Sequence, residues 1–344
     1  MPQRKINRRD VLKFAGLTAL GMAACAPSPS MDAPTAISQP TKAPPPAKQK
    51  KRVLRIAHMT DFHVERSGLP PVGMSHALYH GQNQADPPDV ILNTGDSIMD
   101  ALMTSGSTAL DQWLVYNRIM KNECSLPVIH AIGNHDVWGW GVADASIQSD
   151  PQYGKEMALE RLELPNRYYS FDQAGWHFIV LDSIHTKNEV SPQPYIGKLD
   201  EEQFDWLKQD IEAVPATTPI LVASHIPLVA ACEYFDGPNE EGGQWVVPAC
   251  WMHIDSREFR RLFLKHPNVK LCLSGHTHQY EVLDYLGVRY QTNGAICGNW
   301  WEGWYMAFPP AYVMINLYDD GSSDTEFVPY EKADREYPLG FWNG

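Results

Sequence analysis

Side chains that commonly bind metal ions occur in short clusters along the chain. The clusters are Asp61-Phe62-His63, Gly95-Asp96, Gly133-Asn134-His135, Ser224-His225 and His276-Thr277-His278. Carboxylate, amide and imidazole groups without thiolates suit Mn, Fe or Zn and are not typical of a structural zinc site. Alternate residues of an extended segment share a face, so Asp61 pairs with His63 and His276 pairs with His278. Apart from His135, these are seven candidate ligands, too many for one tetrahedral ion, and they predict two ions that share a carboxylate.

Each cluster directly follows a short apolar segment that is rich in β-branched residues. Strands are predicted at Val53–Ala57, Val90–Leu92, Val128–Ile132, Phe178–Leu181, Ile220–Ala223 and Val269–Leu273, with helical patterns at 109–121 and 199–213 between them. Strands that alternate with helices predict one α/β domain over residues 51–330, followed by a C-terminal tail at 331–344. Ligands of such sheets bind beyond the strand carboxyl ends, so the clusters are expected to meet there.

The order Asp-x-His, Gly-Asp, Gly-Asn-His-Asp, His and Gly-His-x-His resembles that of the calcineurin-like metallophosphoesterases. The resemblance covers about residues 51–330 and implies a four-layer α-β-β-α sandwich of two mixed β-sheets. It also implies a dinuclear centre of divalent or trivalent ions (Mn, Fe or Zn) at the strand carboxyl ends. Under this resemblance, Asp61, His63 and His278 hold one ion, Asn134, His225 and His276 hold the other, and Asp96 bridges them.

The resemblance assigns His135 to catalysis, because it matches a histidine that is not a ligand but faces the phosphate. A hydroxide activated by two metals would attack phosphorus while His135 stabilises charge or protonates the leaving oxygen. In the protein-phosphatase branch, an Asp three residues after the bridging Asp orients this histidine, but here that position is Met99. Asp100 and Asp136 are the candidate replacements, and the change argues against a protein Ser/Thr phosphatase.

Tryptophans adjoin the predicted site and suggest how an organic group could be bound. Trp138 and Trp140 follow Gly-Asn-His-Asp directly, and the late segment Gly-Asn-Trp-Trp-Glu-Gly-Trp contains Trp300, Trp301 and Trp304. Trp245 and Trp251 lie in the insertion after His225, and the candidate rim residues of this set are Trp138, Trp140 and Trp301. Aromatic rings stack on nucleobases, which predicts a substrate rim, with core packing as the alternative. The late segment also resembles parts of bacterial cyclic-nucleotide-phosphodiesterase-like proteins.

The predicted activity is therefore hydrolysis of a small phosphodiester, with a nucleotide as one candidate substrate. A broad phosphomonoesterase that scavenges phosphate is the alternative, since the same metals would serve it. A third hypothesis is a non-catalytic protein that binds a phosphate ligand. Loss of a candidate metal ligand from the motifs would favour this hypothesis, but all of these residues are present.

The charge of the chain argues against polyanionic partners. The formal net charge is −13, from 28 Lys and Arg against 41 Asp and Glu. Such a chain has no general attraction for nucleic-acid polymers or anionic membranes. A small phosphoester is the expected substrate.

The N-terminus has the features of an export signal. Arg8-Arg9 precedes the apolar run Phe14–Ala24, which predicts a twin-arginine signal peptide over residues 1–25 and a contact with that export machinery. Ala23-Ala24-Cys25 resembles a bacterial lipoprotein processing site, which predicts a lipid anchor at Cys25. Residues 26–50 are rich in Pro and Ala and predict an extended tether. The protein is expected outside the cytoplasm, periplasmic or anchored to the membrane, without a transmembrane span in the mature chain.

Besides Cys25 the chain has five cysteines at irregular spacing, which is not the pattern of a disulfide framework. Cys232 and Cys250 flank a loop that is rich in Gly and Pro. They are the candidate pair for a disulfide after export.

Overall fold

The computed structural model describes residues 50–189, 191 and 193–330. The predicted signal peptide, Cys25, the tether up to residue 49 and the tail at 331–344 lie outside the described residues. Within the described part, no helix is both long and apolar enough to cross a membrane.

Fifteen strands and five α-helices alternate along the described chain. The strands are β1 (Arg52–His58), β2 (Val90–Asn93), β3 (Val128–His130), β4 (Tyr169–Gln173), β5 (Trp176–Val180), β6 (Ile184–Thr186), β7 (Tyr195–Gly197), β8 (Ile220–Ala223), β9 (Glu240–Glu241), β10 (Gln244–Trp245), β11 (Val269–Ser274), β12 (Glu281–Tyr285), β13 (Val288–Thr292), β14 (Ala311–Tyr318) and β15 (Ser323–Pro329). The helices are α1 (Leu69–Gln82), α2 (Gly106–Glu123), α3 (Glu156–Arg161), α4 (Glu201–Ala213) and α5 (Ser256–Phe263). All six predicted strands are present, α2 contains the predicted helical pattern at 109–121, and α4 covers the pattern at 199–213 except for its first two residues.

Two large mixed sheets form the centre of the fold. The first has the order β15-β14-β1-β2-β3, and the second has the order β12-β13-β11-β8-β5-β4. Strands β1, β2 and β3 are mutually parallel, as are β5, β8, β11 and β13, whereas the internal strand β14 and the edge strands β4, β12 and β15 pair antiparallel. The parallel strands therefore bring several carboxyl ends to one edge of each sheet.

Alternating side chains bury both faces of each sheet. Leu54 and Ile56 of β1 pack between the sheets, with side chains of β2, β5, β8, β11 and β14. Ala57 of the same strand faces the other way and packs with α1 and α2. Leu207 of α4 and Phe259 of α5 cover the outer face of the second sheet. The predicted four-layer α-β-β-α sandwich is confirmed.

Local sequence explains where the main helices begin. Ser105 caps α2 by accepting a hydrogen bond from the Thr108 amide, and Asp200 caps α4 by accepting one from Gln203. The sequence analysis did not predict α1, whose first turn contains two prolines. Proline is tolerated there because the first amides of a helix have no partner within it.

Candidate dinuclear metal centre

The loops beyond β1, β2, β3, β8 and β11 bring all seven predicted ligands into one buried cluster. The first two loops are joined by backbone hydrogen bonds, since the Asp61 amide donates to the Gly95 carbonyl at 3.1 Å and the His63 amide donates to the Asp96 carbonyl at 3.0 Å. Asn134 begins a short 3₁₀ helix after β3, whereas His225 and His276 lie just past β8 and β11. The carboxyl ends of both sheets therefore supply the site.

One group of ligands contains Asp61, His63 and His278. The His278 Nε2 atom lies 3.1 Å from His63 Nε2 and 3.4 Å from Asp61 Oδ1. The His63 Nε2 atom lies 4.0 Å from the same Asp61 oxygen. These three potential ligand atoms therefore lie close enough together to bind one ion.

A second group contains Asn134, His225 and His276. The His225 Nε2 atom lies 3.0 Å from Asn134 Oδ1 and 3.1 Å from His276 Nδ1. Asp96 stands between the groups, because its Oδ2 atom lies 3.2 Å from His225 Nε2 and 3.6 Å from His63 Nε2. The two groups and the shared carboxylate correspond to the two ligand sets that the resemblance implies.

Backbone carbonyls determine which nitrogen of three histidines carries the proton. Carbonyls of Thr94, Cys250 and Gly298 lie at 3.1, 2.9 and 2.6 Å from His225 Nδ1, His276 Nε2 and His278 Nδ1 respectively. A carbonyl oxygen only accepts, so the nitrogen that faces it donates. In a neutral ring the other nitrogen then presents a lone pair to the cluster, as a metal ligand does.

The electrostatics of the cluster favour positive charge at its centre. Burial lowers the pKa of His63 and of His276 to about 3, so both rings are neutral and can bind an ion. Burial also opposes a charge on His278, but Cys297 and Asp61 outweigh it and hold the His278 pKa well above its usual range. Closely spaced lone pairs and carboxylates repel one another unless a cation lies between them. The residues present therefore fit two metal ions.

Five of the seven ligands adopt a left-handed backbone conformation. The φ angles are 56° at Asp61, 44° at His63, 53° at Asp96, 71° at His276 and 55° at His278. Such conformations in residues other than glycine cost on the order of 1–3 kcal/mol each and concentrate at functional sites. Sequence reasoning missed this strain because it is defined by backbone angles.

Two glycines of the motifs are required by close contacts. A Cβ atom at Gly133 would lie 2.1 Å from Asp96 Oδ1, and one at Gly275 would lie 2.3 Å from Asp61 Oδ2. Either side chain would displace a carboxylate of the cluster.

His135 lies beside the first ligand group, with its ring centre 4.7 Å from that of His63. Its Nδ1 atom faces the backbone carbonyl of Met99 at 2.6 Å, so Nδ1 donates and Nε2 is left for a substrate. The carboxylates of Asp100 and Asp136 bind backbone amides instead, so neither candidate replacement orients His135. The main chain at Met99 takes over that task, which no side-chain motif reveals.

A pocket of about 240 Å³ opens over the cluster. Beyond ligands and His135, its lining includes Tyr195, Glu233, Asp236, Trp251, Trp300 and Tyr305. A volume of this order suits a small molecule. Trp251 and Trp300 belong to the tryptophans noted near the predicted site, whereas Tyr195, Glu233, Asp236 and Tyr305 were not predicted, because segments distant in sequence contribute them.

The three tryptophans predicted for a substrate rim do not line this pocket. Trp138 is buried, and its indole donates to the Thr104 carbonyl. Trp140 and Trp301 pack against the same core, and Trp301 donates to the Phe62 and His63 carbonyls. The alternative of core packing therefore holds for these three residues. Trp300, the neighbour of Trp301, lies in the pocket instead, with its ring centre 4.7 Å from that of His278.

The five cysteines of the described residues are free thiols. Cys232 and Cys250, the candidate pair, form no disulfide in this structure. Burial raises the pKa of the Cys250 thiol, which disfavours the reactive thiolate.

The chain belongs to the calcineurin-like phosphoesterase family, whose model matches residues 54–280. It is therefore a hydrolase that acts on phosphoric ester bonds. The two ligand groups around Asp96 agree with the dinuclear metal site implied by dimetal phosphatases of this fold.

Relatives support this assignment over most of the chain. The chain is 26% identical to the 3',5'-cyclic-nucleotide phosphodiesterase alr5338 of Nostoc sp. (strain PCC 7120), across 82% of this chain and 95% of that protein. It is 23% identical to the 3',5'-cyclic adenosine monophosphate phosphodiesterase CpdA of Escherichia coli (strain K12), across 79% and 88%. The crystal structure of a dimetal phosphatase from Danio rerio has the same fold, with a TM-score of 0.53 and 14% identity over 82% of this chain and all of that one.

Proposed function

We propose that the protein hydrolyses a small phosphodiester, with a nucleotide as the first candidate substrate. The observation that carries this proposal is the position of His135, whose ring lies beside two metal-ligand groups in a pocket of about 240 Å³. Two bound ions, Mn, Fe or Zn on the chemistry of the ligand set, supply activation of water and neutralisation of phosphoryl oxygens.

His135 acts on the leaving group in this proposal. Because its Nδ1 proton is donated to the Met99 carbonyl, the ring is fixed with Nε2 available to the substrate. A proton on Nε2 can pass to the departing oxygen, which makes His135 a general acid. The His135 amide also donates to Asp96 Oδ1 at 2.8 Å, which couples the position of the acid to the shared ligand.

The charge of the pocket supports a diester over a monoester. Its described lining contains Glu233 and Asp236 but neither Lys nor Arg. A monoester carries up to two negative charges at neutral pH and a diester carries one, so a lining without Lys or Arg offers no partner for the second charge of a monoester. The two bacterial relatives described above are named as cyclic-nucleotide phosphodiesterases, which supports the same choice.

The test compares substrates on a sample whose metal content is measured. We expect about two ions per chain and a higher kcat/KM for bis(4-nitrophenyl) phosphate and cyclic AMP than for 4-nitrophenyl phosphate. Preference for the monoester would replace the proposal with a phosphomonoesterase. A chain that binds two ions but turns over none of the three would contradict the proposed activity.

A further inference from the structure

Glu233 is a buried acid without a partner in the substrate pocket. It lies in the short 3₁₀ helix Cys232–Tyr234, after His225, and only 1% of it is exposed. Among the described residues its Oε2 atom has no hydrogen-bond partner, although Glu233 lines the pocket beside His135. Leaving such a group unsatisfied is unfavourable, so a ligand that satisfies it would gain binding energy.

Glu233 has acidic neighbours, which favour its protonated form. Burial, together with the charges of Asp236 and Glu281, raises the pKa of Glu233 to about 9. Asp236 is held in place by the Tyr305 hydroxyl, which donates to its two oxygens at 2.9 and 3.0 Å. Glu233 and Asp236 are called the acidic wall, and neither Lys nor Arg is among the described residues that line the pocket with them.

Aromatic rings adjoin the acidic wall. Trp251, Trp300 and Tyr305 line the same pocket, and the Trp300 and Tyr305 ring centres are 5.7 Å apart. Indole and phenol faces attract both flat heterocycles and cations. The pocket thus combines a hydrogen-bond acceptor with surfaces that hold the group to be recognised.

We propose that Glu233, supported by Asp236, determines specificity by accepting a hydrogen bond from an N–H group on the organic part of the substrate. The N–H group belongs to an amino-substituted nucleobase or to a primary ammonium. The proposal rests on the proposed function in taking the substrate to be a phosphodiester. The phosphate then faces the metal ligands and His135, while the N–H group faces the acidic wall.

The Glu233 carboxyl group can bind the N–H group of an amino-substituted nucleobase or that of a primary ammonium. A protonated Glu233 donates to a ring nitrogen and accepts from the adjacent amino group, whereas an ionised Glu233 pairs with an ammonium. A substrate without the nitrogen leaves the buried acid unsatisfied. We expect such a substrate to be disfavoured by about 10- to 100-fold.

The test uses two pairs of diesters that differ only in the nitrogen. The first pair is cyclic AMP and the cyclic phosphate of purine riboside, which lacks the amino group. The second pair is glycerophosphoethanolamine and glycerophosphopropanol, in which a methyl replaces the ammonium. The wild-type protein should show a kcat/KM ratio of about 10 to 100 in at least one pair, and the pair that shows it identifies the source of the nitrogen.

Variants connect this ratio to Glu233. Glu233→Met keeps the length of the side chain but removes its hydrogen bonds, so the ratio should fall towards 1. Glu241→Gln is the matched control, since this exposed acid of the same segment does not line the pocket and the ratio should stay at the wild-type value. Calorimetric measurement of the binding of AMP and of purine riboside monophosphate tests the preference for the amino group without turnover.

The outcomes separate this inference from the proposed function. A wild-type ratio near 1 in both pairs and in binding would overturn the inference, even if diesters are hydrolysed. Retention of the wild-type ratio in Glu233→Met would overturn it as well. If no diester is hydrolysed but AMP binds more tightly than its analogue and Glu233→Met removes that preference, the proposed function fails and the recognition stands.

Discussion

Asp96 presents one carboxylate oxygen to both groups of metal ligands. Its Oδ2 atom lies 3.2 Å from His225 Nε2 and 3.6 Å from His63 Nε2, and the residue is almost fully buried. Removing the negative charge of this carboxylate should weaken the binding of both ions. The side chain lies beyond a strand end and outside the apolar core, so the fold does not depend on it.

We therefore predict that Asp96→Asn loses most of its metal and nearly all of its activity while it stays folded. Metal content by mass spectrometry, turnover of a diester and circular dichroism measure the three parts. Asp205→Asn, the same change at an exposed position on α4, is the control and should alter none of them. A variant that keeps both ions and the wild-type rate would remove Asp96 from the bridging position.

His135 should behave as an acid and not as a ligand. We predict that His135→Ala keeps two ions but lowers turnover by about 10²- to 10⁴-fold, the usual range for a general acid. The loss should shrink for substrates with acidic leaving groups, because these depart without a proton. Rates for a series of aryl diesters measure this dependence. An equal loss of turnover for all substrates in the series would mean that His135 has only an electrostatic role. Loss of bound metal in the variant would mean that His135 is a metal ligand.

The clustering of the seven candidate metal ligands could be predicted from the sequence because each stands in a short motif at a strand end. The other residues that line the pocket could not be predicted in this way. The Met99 carbonyl takes the place of a side chain, so it has no residue-type signal at all. Glu233 and Trp300 enter the pocket through loops whose paths depend on packing far from them in sequence.

At the level of elements, six of the seven parallel strands were predicted from the sequence, whereas β13 and the antiparallel strands were not. Val90 and its neighbours form a continuous apolar run, which is typical of a strand that is covered on both faces. Edge strands such as β12 and β15 carry mixed polar sequences, because part of each strand meets solvent. Each of these two strands pairs with its neighbour in the chain, β12 with β13 and β15 with β14.

A buried chain of hydrogen bonds joins the ends of β1, β2 and β13. Asn293 contacts His58 Nδ1, His58 Nε2 lies 2.8 Å from Thr94 Oγ1, and Thr94 lies 2.8 Å from Thr60 Oγ1. Burial lowers the pKa of His58 to about 3, against a small opposing effect of Asp61. The folded protein therefore keeps His58 neutral where an unfolded chain, with a histidine pKa of about 6.5, would protonate it.

This difference predicts a loss of stability in acid. Between pH 6.5 and 3 the unfolded state binds the extra proton, so the free energy of unfolding falls by about 1.4 kcal/mol for each pH unit. Above pH 6.5 His58 contributes no pH dependence. Urea unfolding of chelator-treated protein at pH 7.5 and 5 should show a drop that is about 2 kcal/mol larger in the wild type than in His58→Gln. The same drop in both proteins would contradict the assignment.

For the whole molecule, we propose that the twin-arginine signal and the metal centre are functionally linked. Arg8-Arg9 precedes an apolar run on a chain whose folded domain gathers seven metal ligands from five loops. Because these ligands meet only after folding, the centre must load in a compartment where the chain is already folded. Affinity order alone does not select the correct ion, so the place of loading can decide which ion is bound.

We therefore predict that replacing Arg8 and Arg9 with Lys traps active, metal-loaded enzyme in the cytoplasm, as cell fractionation with an activity assay would show. Normal export of this double variant would contradict a twin-arginine signal and leave the metal centre untouched. Cys25→Ser tests the anchor separately, and should release the exported protein from membranes. Unchanged membrane fractionation of Cys25→Ser would exclude the lipid while leaving the export route in place, because the two signals lie at different residues.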